Sequence, residues 1–466
     1  MPSPSIASNV ARSVLQWFES NGQCQKKVPP SEWTVLAGIV LRSQSSSDDT
    51  FRVLTAATGT KCLGRRDLNL DGLVVNDCHA EILARRAFLR YLYTEALYWQ
   101  ENGLESSENS IFEQHPTMHR LVLKPQHSLH LFISEAPSPC GDAAIYELRE
   151  DVVDELVQQR TARSNDSGQT RSDLRLTGAK AHKRSRDVDG QSDQDAPRDK
   201  KFAQTVGIAR VKSGRSDLPL AKQTLSMSCS DKLAKWNVIG LQGSLLLQWF
   251  EPIFLSSIVV SEDEQAMSVM KQEQALQRAL CTRLEQRDTF VLSCTTSVVS
   301  DTPQFSRRRT PSRAPSSLAL NWTHQESHWT PIAATKKPQS KPKATVKFFT
   351  NFELEFLMAA TGFKQGAKKA SKMDQTAMER VASRLSKRNL LRAFHHVLSL
   401  KSRSDTAHDL GYLQLKRAVP LNATWLTPST LLVATAVSAD NDRREQFFEA
   451  FSDWIGVPTA FKQFKL

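Results

Sequence analysis

A histidine and a glutamate stand two residues apart where an apolar, helix-forming stretch begins. The segment reads Asn76-Asp77-Cys78-His79-Ala80-Glu81 and continues into Ile82-Leu83-Ala84-Arg85-Arg86. A neutral imidazole is a common zinc ligand, and a carboxylate that stays off the metal can carry protons to and from a substrate. Because this pair also occurs often by chance, it indicates a catalytic metal site only if further ligands follow downstream.

A catalytic zinc ion takes three protein ligands and keeps one position open for water. Cys140 follows Pro139 between a predicted strand and a predicted helix, where a helix N-terminus would favour the thiolate. In zinc-dependent nucleobase deaminases a second cysteine commonly follows three residues later, but that position is Ala143 here. Cys229 is the best remaining candidate because it opens a new apolar block. The other cysteines outside the first motif are typical of small buried hydrophobes: Cys24, Cys62, Cys281 and Cys294.

Charge and composition restrict the class of protein. The 466 residues include 61 Lys+Arg and 49 Asp+Glu, a net charge of +12. This excess indicates an anionic partner, RNA before a membrane surface, unless disordered basic segments account for it. No apolar run is long enough to span a bilayer, no secretory signal is visible, and seven cysteines do not form a disulfide framework. We expect a cytoplasmic or nuclear protein with no membrane segment and no obligate protein partner.

The elements that must position the candidate ligands alternate between apolar strands and helices. Apolar patterns predict a buried strand or helix over residues 33–41 and buried strands over 52–63 and 129–133. They also predict helices over residues 8–19, from Ala80 to about Trp99, over much of 353–400, and over 447–454.

Three segments contain few large apolar residues and cannot bury enough surface to offset the entropy of ordering. We predict disordered insertions there: residues 160–201, 302–317 and 336–343. The simplest organisation is an N-terminal segment, 1–32, followed by a single domain over 33–466.

Several motifs in combination resemble one family, the adenosine deaminases that act on RNA. They are the His79–Glu81 segment with its two arginines, the segments around Cys140 and Cys229, Gly240-Leu241-Gln242-Gly243-Ser244, Gly59-Thr60-Lys61-Cys62, Asn321-Trp322-Thr323 and Ser383-Arg384-Leu385. In that family the second cysteine lies far from the first, as it does here. The resemblance implies an α/β fold, with a cytidine-deaminase-like core of a mixed central sheet flanked by helices and a helical C-terminal extension.

Carried over residue by residue, the resemblance makes His79, Cys140 and Cys229 the zinc ligands and Glu81 the proton shuttle. The implied reaction is hydrolytic deamination of adenosine to inosine in RNA.

Family members also hold inositol hexakisphosphate in the domain core. Arg85 and Arg86 give an independent reason to expect a polyanion, since lone cations in an apolar helix carry a large desolvation cost. Solvation or pairing with carboxylates is the alternative reading. The family pattern assigns eight residues to this cofactor: Arg85, Arg86, Lys232, Lys235, Ser244, Lys387, Tyr412 and Lys416. Gly456 and Val457 replace an acidic and a basic residue of the relatives.

Within the family, RNA-editing members carry double-stranded-RNA-binding domains ahead of the catalytic domain, and only 32 residues precede Trp33 here. That favours the branch that acts on tRNA, whose substrate is the adenosine beside the anticodon of an alanine tRNA. The resemblance and charge place four residues near RNA: Thr60, Lys61, Lys212 and Arg215. Editing of mRNA or double-stranded RNA, and a catalytically silent RNA-binding protein, are the alternatives.

Overall fold

A mixed β-sheet organises the structure, which is a computed structural model. It describes residues 5–29, 31–45, 48–117, 120–137, 209, 211–212, 224–262, 268–282, 284, 292–300, 314–329, 354–399, 410–419, 442–449, 451, 454 and 457–466. The strands in these ranges are β1 (Glu32–Trp33), β2 (Leu36–Ser43), β3 (Thr50–Thr58), β4 (Phe112–Gln114), β5 (Leu121–Leu123), β6 (His127–Ile133), β7 (Ser257–Ser261), β8 (Thr295–Val299), β9 (Ala314–Pro315), β10 (Leu318–Thr323) and β11 (Glu355–Met358).

The central sheet has the strand order β11-β10-β3-β2-β6-β7-β8. Neighbours from β11 through β6 pair antiparallel, whereas β6, β7 and β8 pair parallel. This arrangement confirms the predicted α/β class with a mixed central sheet. The predicted strands near residues 33–41, 52–63 and 129–133 correspond to β2, β3 and β6.

Helices cover both faces of this sheet. They are α1 (Ile6–Ser20), α2 (Gly22–Lys27), α3 (Ala80–Asn102), α4 (Cys229–Ile239), α5 (Gly243–Leu246), α6 (Val269–Gln277), α7 (Gln375–Val381), α8 (Lys387–Ser399) and α9 (Tyr412–Ala418). Residues 442–449 are also helical. In the described ranges, no helix combines the length and apolar character needed to cross a bilayer.

Strand β2 shows how the sheet separates two apolar layers. Ala37, Ile39 and Leu41 face the core built on α3, and Leu36 and Val40 face the core built on α1. Side chains alternate between the faces of a strand, so a strand buried on both faces is apolar at every position. That explains the unbroken apolar run in its sequence.

The N-terminal helix belongs to the same fold as the sheet. Val10, Val14 and Phe18 of α1 are buried in one cluster with Leu36 and Val40 of β2. The boundary predicted between residues 32 and 33 therefore does not separate two cores.

Two predictions about later segments differ from the structure. The predicted insertion over 302–317 ends too late, because Ala314–Pro315 forms β9 and pairs in parallel with Glu32–Trp33. The stretch 353–400 begins with a strand, β11, before its two helices. The predicted insertions at 160–201 and 336–343, and residues 302–313 of the other, lie outside the described residues.

Candidate functional site

A tight approach between two chain segments places His79 at the N-cap of α3. Gly59 has φ +151°, and a Cβ on it would lie 1.9 Å from the carbonyl oxygen of Cys78, so only glycine fits. Beyond it, the backbone N–H of Cys78 donates to Lys61 O at 2.9 Å, and that of Ala80 donates to Gly59 O at 3.1 Å. The loop that begins at Gly59 therefore holds the start of α3 in place.

The carboxylate of Asp77 orients the His79 ring. Its Oδ1 atom lies 3.0 Å from His79 Nδ1 and accepts the backbone N–H of His79 at 3.2 Å. An ionised carboxylate can only accept hydrogen bonds, so Nδ1 must hold the ring proton. The Nε2 lone pair is then available to a metal, which is the usual arrangement around metal-binding histidines.

Three further donors complete the surroundings of Asp77. Lys212 Nζ donates to Oδ1 at 2.9 Å, Lys232 Nζ donates to Oδ2 at 2.5 Å, and Ser226 Oγ donates to Oδ2 at 2.8 Å. Burial raises the pKa of Asp77, but the two ammonium groups outweigh it and hold that pKa well below its usual value. Asp77 is therefore a fixed anion in the interior.

These contacts give Lys212, which was predicted to meet RNA, a second role. Its side chain is only 2% exposed and is paired with Asp77. Lys212 therefore supports the His79 network, and its contact with RNA stays a prediction. Lys232 contacts Asp77 and Ser226, and its assignment to inositol phosphate stays a prediction.

Cys229 and Glu81 are buried at the starts of two helices and interact electrostatically. Cys229 is the first residue of α4 and is fully buried, and Glu81, in the first turn of α3, is 2% exposed. Burial raises the pKa of the Cys229 thiol well above its usual value, and the charge of Glu81 raises it further. A thiolate beside a carboxylate in the interior needs a cation, and a bound divalent metal would reverse this pKa shift.

The donor set fits zinc as far as the structure describes it. His79 and Cys229 supply nitrogen and sulfur, the ligand types that zinc prefers. The predicted third ligand, Cys140, lies outside the described residues, as does the predicted helix that follows it. Within the described ranges no group of three potential ligands converges, so the complete ligand set stays a prediction.

A second group of side chains forms a basic cluster beyond the first turn of α3. The seven residues that we call the basic cluster come from six parts of the chain: Arg85, Arg86, Lys235, Lys387, Lys416, Arg444 and Lys462. Each is half-buried, and none forms an ion pair with a carboxylate of the described residues. The Nε atom of Arg85 is buried and has no hydrogen-bond partner among the described residues.

The electrostatics of the basic cluster are unfavourable without an anion. Burial, followed by repulsion from neighbouring cations, lowers the pKa of Lys387 and of Lys416 to about 7. The same two causes lower the pKa of Arg85 to about 9 and that of Lys235 well below its usual value. A polyanion in their midst would remove both penalties.

Aromatic rings, two carbonyl groups and the hydroxyl of Ser244 provide the partners that the cluster has within the described residues. Lys235 Nζ lies 4.4 Å from the ring centroid of Phe448 and 4.7 Å from that of Trp454. Arg86 Nε donates to Leu385 O at 2.7 Å. Cation–π contacts are weaker than a buried ion pair, so they do not balance this much charge.

The structure brings seven of the eight residues predicted to bind the polyanion into or next to the basic cluster, with Lys232, at Asp77, as the exception, and it places Arg444 and Lys462 among them as further cations. Tyr412 lies beside Arg86 and Arg85, and Ser244 Oγ accepts from Arg444 at 2.7 Å. Arg444 and Lys462 were missed by sequence reasoning. A signal was present, because both are basic residues within the aromatic C-terminal stretch. Val457 is described without a charged contact, and Gly456 lies outside the described residues.

The residues predicted to meet RNA have different surroundings. Thr60 Oγ1 is buried and has no hydrogen-bond partner in the described part of the chain. Lys61 is half-buried in the loop that pairs with Cys78, and Arg215 lies outside the described residues. Thr60 and Lys61 are therefore next to the segment that carries His79.

Similarity to known proteins covers most of the chain. Residues 55–350 match a family model described as the adenosine-deaminase (editase) domain. A Drosophila melanogaster protein named tRNA-specific adenosine deaminase 1 is 34% identical over 279 residues, 60% of this chain and 59% of the relative. The Homo sapiens protein of the same name is 26% identical over 552 aligned residues, 94% of this chain and 95% of the relative.

A Mus musculus protein named double-stranded RNA-specific adenosine deaminase is 26% identical over 441 residues, 93% of this chain and 30% of the relative. The chain thus spans less than two thirds of the length of the fly and mouse relatives.

The Asp77 network predicts a loss of metal binding when its charge is removed. Asp77→Asn keeps the shape of the side chain but no longer fixes the His79 tautomer, and we expect metal affinity to fall roughly 10–100-fold. Zinc per chain after dialysis against a competing chelator measures this. Asp67→Asn, at an exposed position of the adjacent loop, is the matched control. Unchanged zinc retention by a folded Asp77→Asn protein would show that His79 is oriented in another way.

The basic cluster predicts a pH dependence that a polyanion abolishes. The pKa of Lys387 and of Lys416 falls from 10.5 to about 7 on folding, so the unfolded chain binds more protons between those values. The free energy of unfolding of ligand-free protein should therefore rise as pH increases from 7 towards 10. Bound phosphate groups keep both ammonium groups charged and remove this rise.

Chemical denaturation at several pH values, with and without inositol hexakisphosphate, measures the effect. Lys416→Met should reduce the pH-dependent rise, whereas Lys369→Met, at an exposed lysine, should not. Identical pH profiles with and without the polyanion would contradict the assignment of the basic cluster.

Proposed function

We propose that this chain, which belongs to the adenosine-deaminase (editase) domain family, is a zinc-dependent hydrolase that converts adenosine to inosine in tRNA. The observation that supports the chemistry most directly is the burial of both Glu81 and Cys229 at helix starts, where the charge of Glu81 acts on the Cys229 thiol. His79 borders the same segment with its ring oriented by Asp77. A proton carrier and two potential ligands are thus held by rigid helix starts.

The roles of the residues follow from their chemistry. Zinc held by His79, Cys229 and Cys140 would lower the pKa of a water molecule to near 7 and so supply a hydroxide nucleophile at neutral pH. The Glu81 carboxylate takes the proton of the attacking water and returns it to N1 of the adenine ring. The Glu81 carboxylate transfers a second proton to the departing amino group, so that adenosine and water become inosine and ammonia. Asp77, through His79 Nδ1, is a positioning residue.

We further propose that the basic cluster binds inositol hexakisphosphate. Seven half-buried cations without a carboxylate partner in the described residues need several negative charges at close range. Phosphate oxygens on a compact ring supply that charge density, and arginine binds them in bidentate fashion. The ligand would connect α3, α4, α8, α9 and the C-terminal residues, which explains how these distant segments fold together.

The substrate we favour is tRNA, with the adenosine beside the anticodon of an alanine tRNA as the target. Similarity to the human tRNA-specific relative extends over nearly the full length of both chains, whereas the double-stranded-RNA-specific relative is about three times longer than the region it shares. Bases in an anticodon loop are already unpaired, so little energy opposes moving one into a pocket. Editing of paired RNA is the competing function.

Glu81→Gln should abolish inosine formation while zinc remains bound. The variant cannot accept a proton, and general acid–base catalysis contributes roughly 10²–10⁴-fold. Removing the Glu81 charge also removes one cause of the raised pKa of Cys229, so the thiolate is favoured and metal is retained. Inosine is measured by mass spectrometry of digested tRNA, alongside zinc per chain. Glu105→Gln, outside the site, is the control, and undiminished activity of Glu81→Gln would refute the assignment.

Substrate choice separates the favoured function from its competitor. We expect an alanine tRNA transcript to be deaminated with a kcat/KM at least about tenfold above that of a duplex of equal length. Extruding a paired base costs a few kcal/mol, and each 1.4 kcal/mol is roughly a factor of ten in rate. Faster reaction on the duplex would instead assign this chain to editing of paired RNA.

A further inference from the structure

We infer that residues 364–372, here called the lysine loop, form an RNA-phosphate-binding surface beside the candidate catalytic site. The inference rests on the proposed function, because it assigns a second contact region for the tRNA substrate. The loop connects β11 to α7 and contains Lys364, Lys368, Lys369 and Lys372. The last three side chains belong to exposed residues, and none has an ion-pair partner among the described residues.

The lysine loop is held in a defined conformation by a small apolar core of its own. Ala367, Met373 and Met378 pack against an apolar cluster. Residues on both sides of the lysine loop and residues that follow β3 contribute its buried members. The buried members of that cluster are Leu63, Leu73, Val74, Phe363 and Ala382. The backbone N–H of Lys364 also donates to Val381 O at 2.9 Å. A run of lysines in solvent is usually mobile, whereas this one is carried by packed side chains.

Contact with residue 75 brings the lysine loop close to the catalytic segment. Val75 N–H donates to Gly362 O at 3.1 Å, and a Cβ on Gly362 would lie 2.5 Å from Val75 O. Gly362 has φ +71°, so this close approach depends on glycine. The chain runs from Val75 through Asp77 to His79. The surface therefore lies beside the segment that carries a predicted metal ligand.

The neighbouring loop extends the same positive surface. Arg65 and Arg66 are exposed there, and Leu63 of that loop is part of the shared apolar core. Asp67 lies 4.0 Å from Arg66 and offsets one of these charges. Lys61 follows the turn at Gly59 in the same loop.

Carboxylates next to the lysine loop are occupied by other groups. Asp374 caps α7 by accepting the N–H of Ala377 at 2.7 Å. Glu379 accepts from Arg392 at 2.9 Å and pairs with Arg388. The three exposed lysines thus form no ion pair within the described part of the chain, which favours an external anion.

The phosphate backbone of RNA suits this arrangement. Exposed lysines are point charges that bind phosphates without reading bases, so they would position the stem next to the target loop. Binding through them releases counterions and depends strongly on salt.

The test compares a charge-removing variant with two matched variants. The first is Lys368→Gln/Lys369→Gln/Lys372→Gln, and the second replaces the same three lysines by arginine. The third, Arg12→Gln/Lys26→Gln/Lys271→Gln, removes three positive charges from exposed positions on α1, α2 and α6. Dissociation constants for an alanine tRNA transcript are measured by fluorescence anisotropy at several salt concentrations, with thermal unfolding as a check on folding.

We expect the lysine-to-glutamine variant to bind tRNA at least about tenfold more weakly at low salt, with the slope of log K against log salt reduced by about 2 to 3. The arginine variant and the variant with distant substitutions should keep the wild-type values. A lysine-to-glutamine variant with the wild-type constant and slope, or an equal loss in the distant variant, would overturn the inference. Failure of the wild-type protein to bind or deaminate tRNA would overturn the proposed function instead, so the two failures are distinguishable.

Discussion

The site depends on the hydrogen bonds and ion pairs that the buried carboxylate of Asp77 forms. This carboxylate accepts hydrogen bonds from His79, Lys212, Lys232 and Ser226, which come from three separate parts of the chain. One anion between two cations leaves a net positive charge next to Glu81 and Cys229. Burial, Glu81 and Asp77 itself raise the pKa of the Cys229 thiol, and the two lysines lower it only in part. The network thus orients the His79 ring, while the Cys229 thiol keeps a pKa well above its usual value.

Helix α3 connects the surroundings of Glu81 to the basic cluster. Glu81 occupies its first turn, where the helix dipole stabilises a negative charge. Arg85 and Arg86 follow about one turn later, where the apolar surroundings disfavour cations. The helix therefore favours the charge of Glu81 and disfavours the charges of its two arginines. A bound polyanion, as proposed for the basic cluster, would offset this penalty.

The sequence predicted the parts of this structure that depend on local pattern or on residue type. Strand β2 and helix α3 are long and strongly apolar, so periodicity was sufficient to find them. The role of Lys212 could not be found in this way, because its partner Asp77 is 135 residues away. Arg444 and Lys462 were missed for the same physical reason, since only the folded chain brings them beside Lys416. The structure leaves Cys140 as a prediction, because it lies outside the described residues.

The net charge of +12 does not lie wholly on the surface, as the positions of the lysines and arginines in the fold show. Seven of the 61 basic residues belong to the half-buried basic cluster, so part of the excess is directed at an internal anion. Lys212 and Lys232 form ion pairs with the buried carboxylate of Asp77. What remains for an external nucleic acid is the exposed set, in which Lys369 and its neighbours are held together by apolar packing. Composition alone indicates an anionic partner, whereas burial separates the lysines of the interior from those that can contact an external nucleic acid.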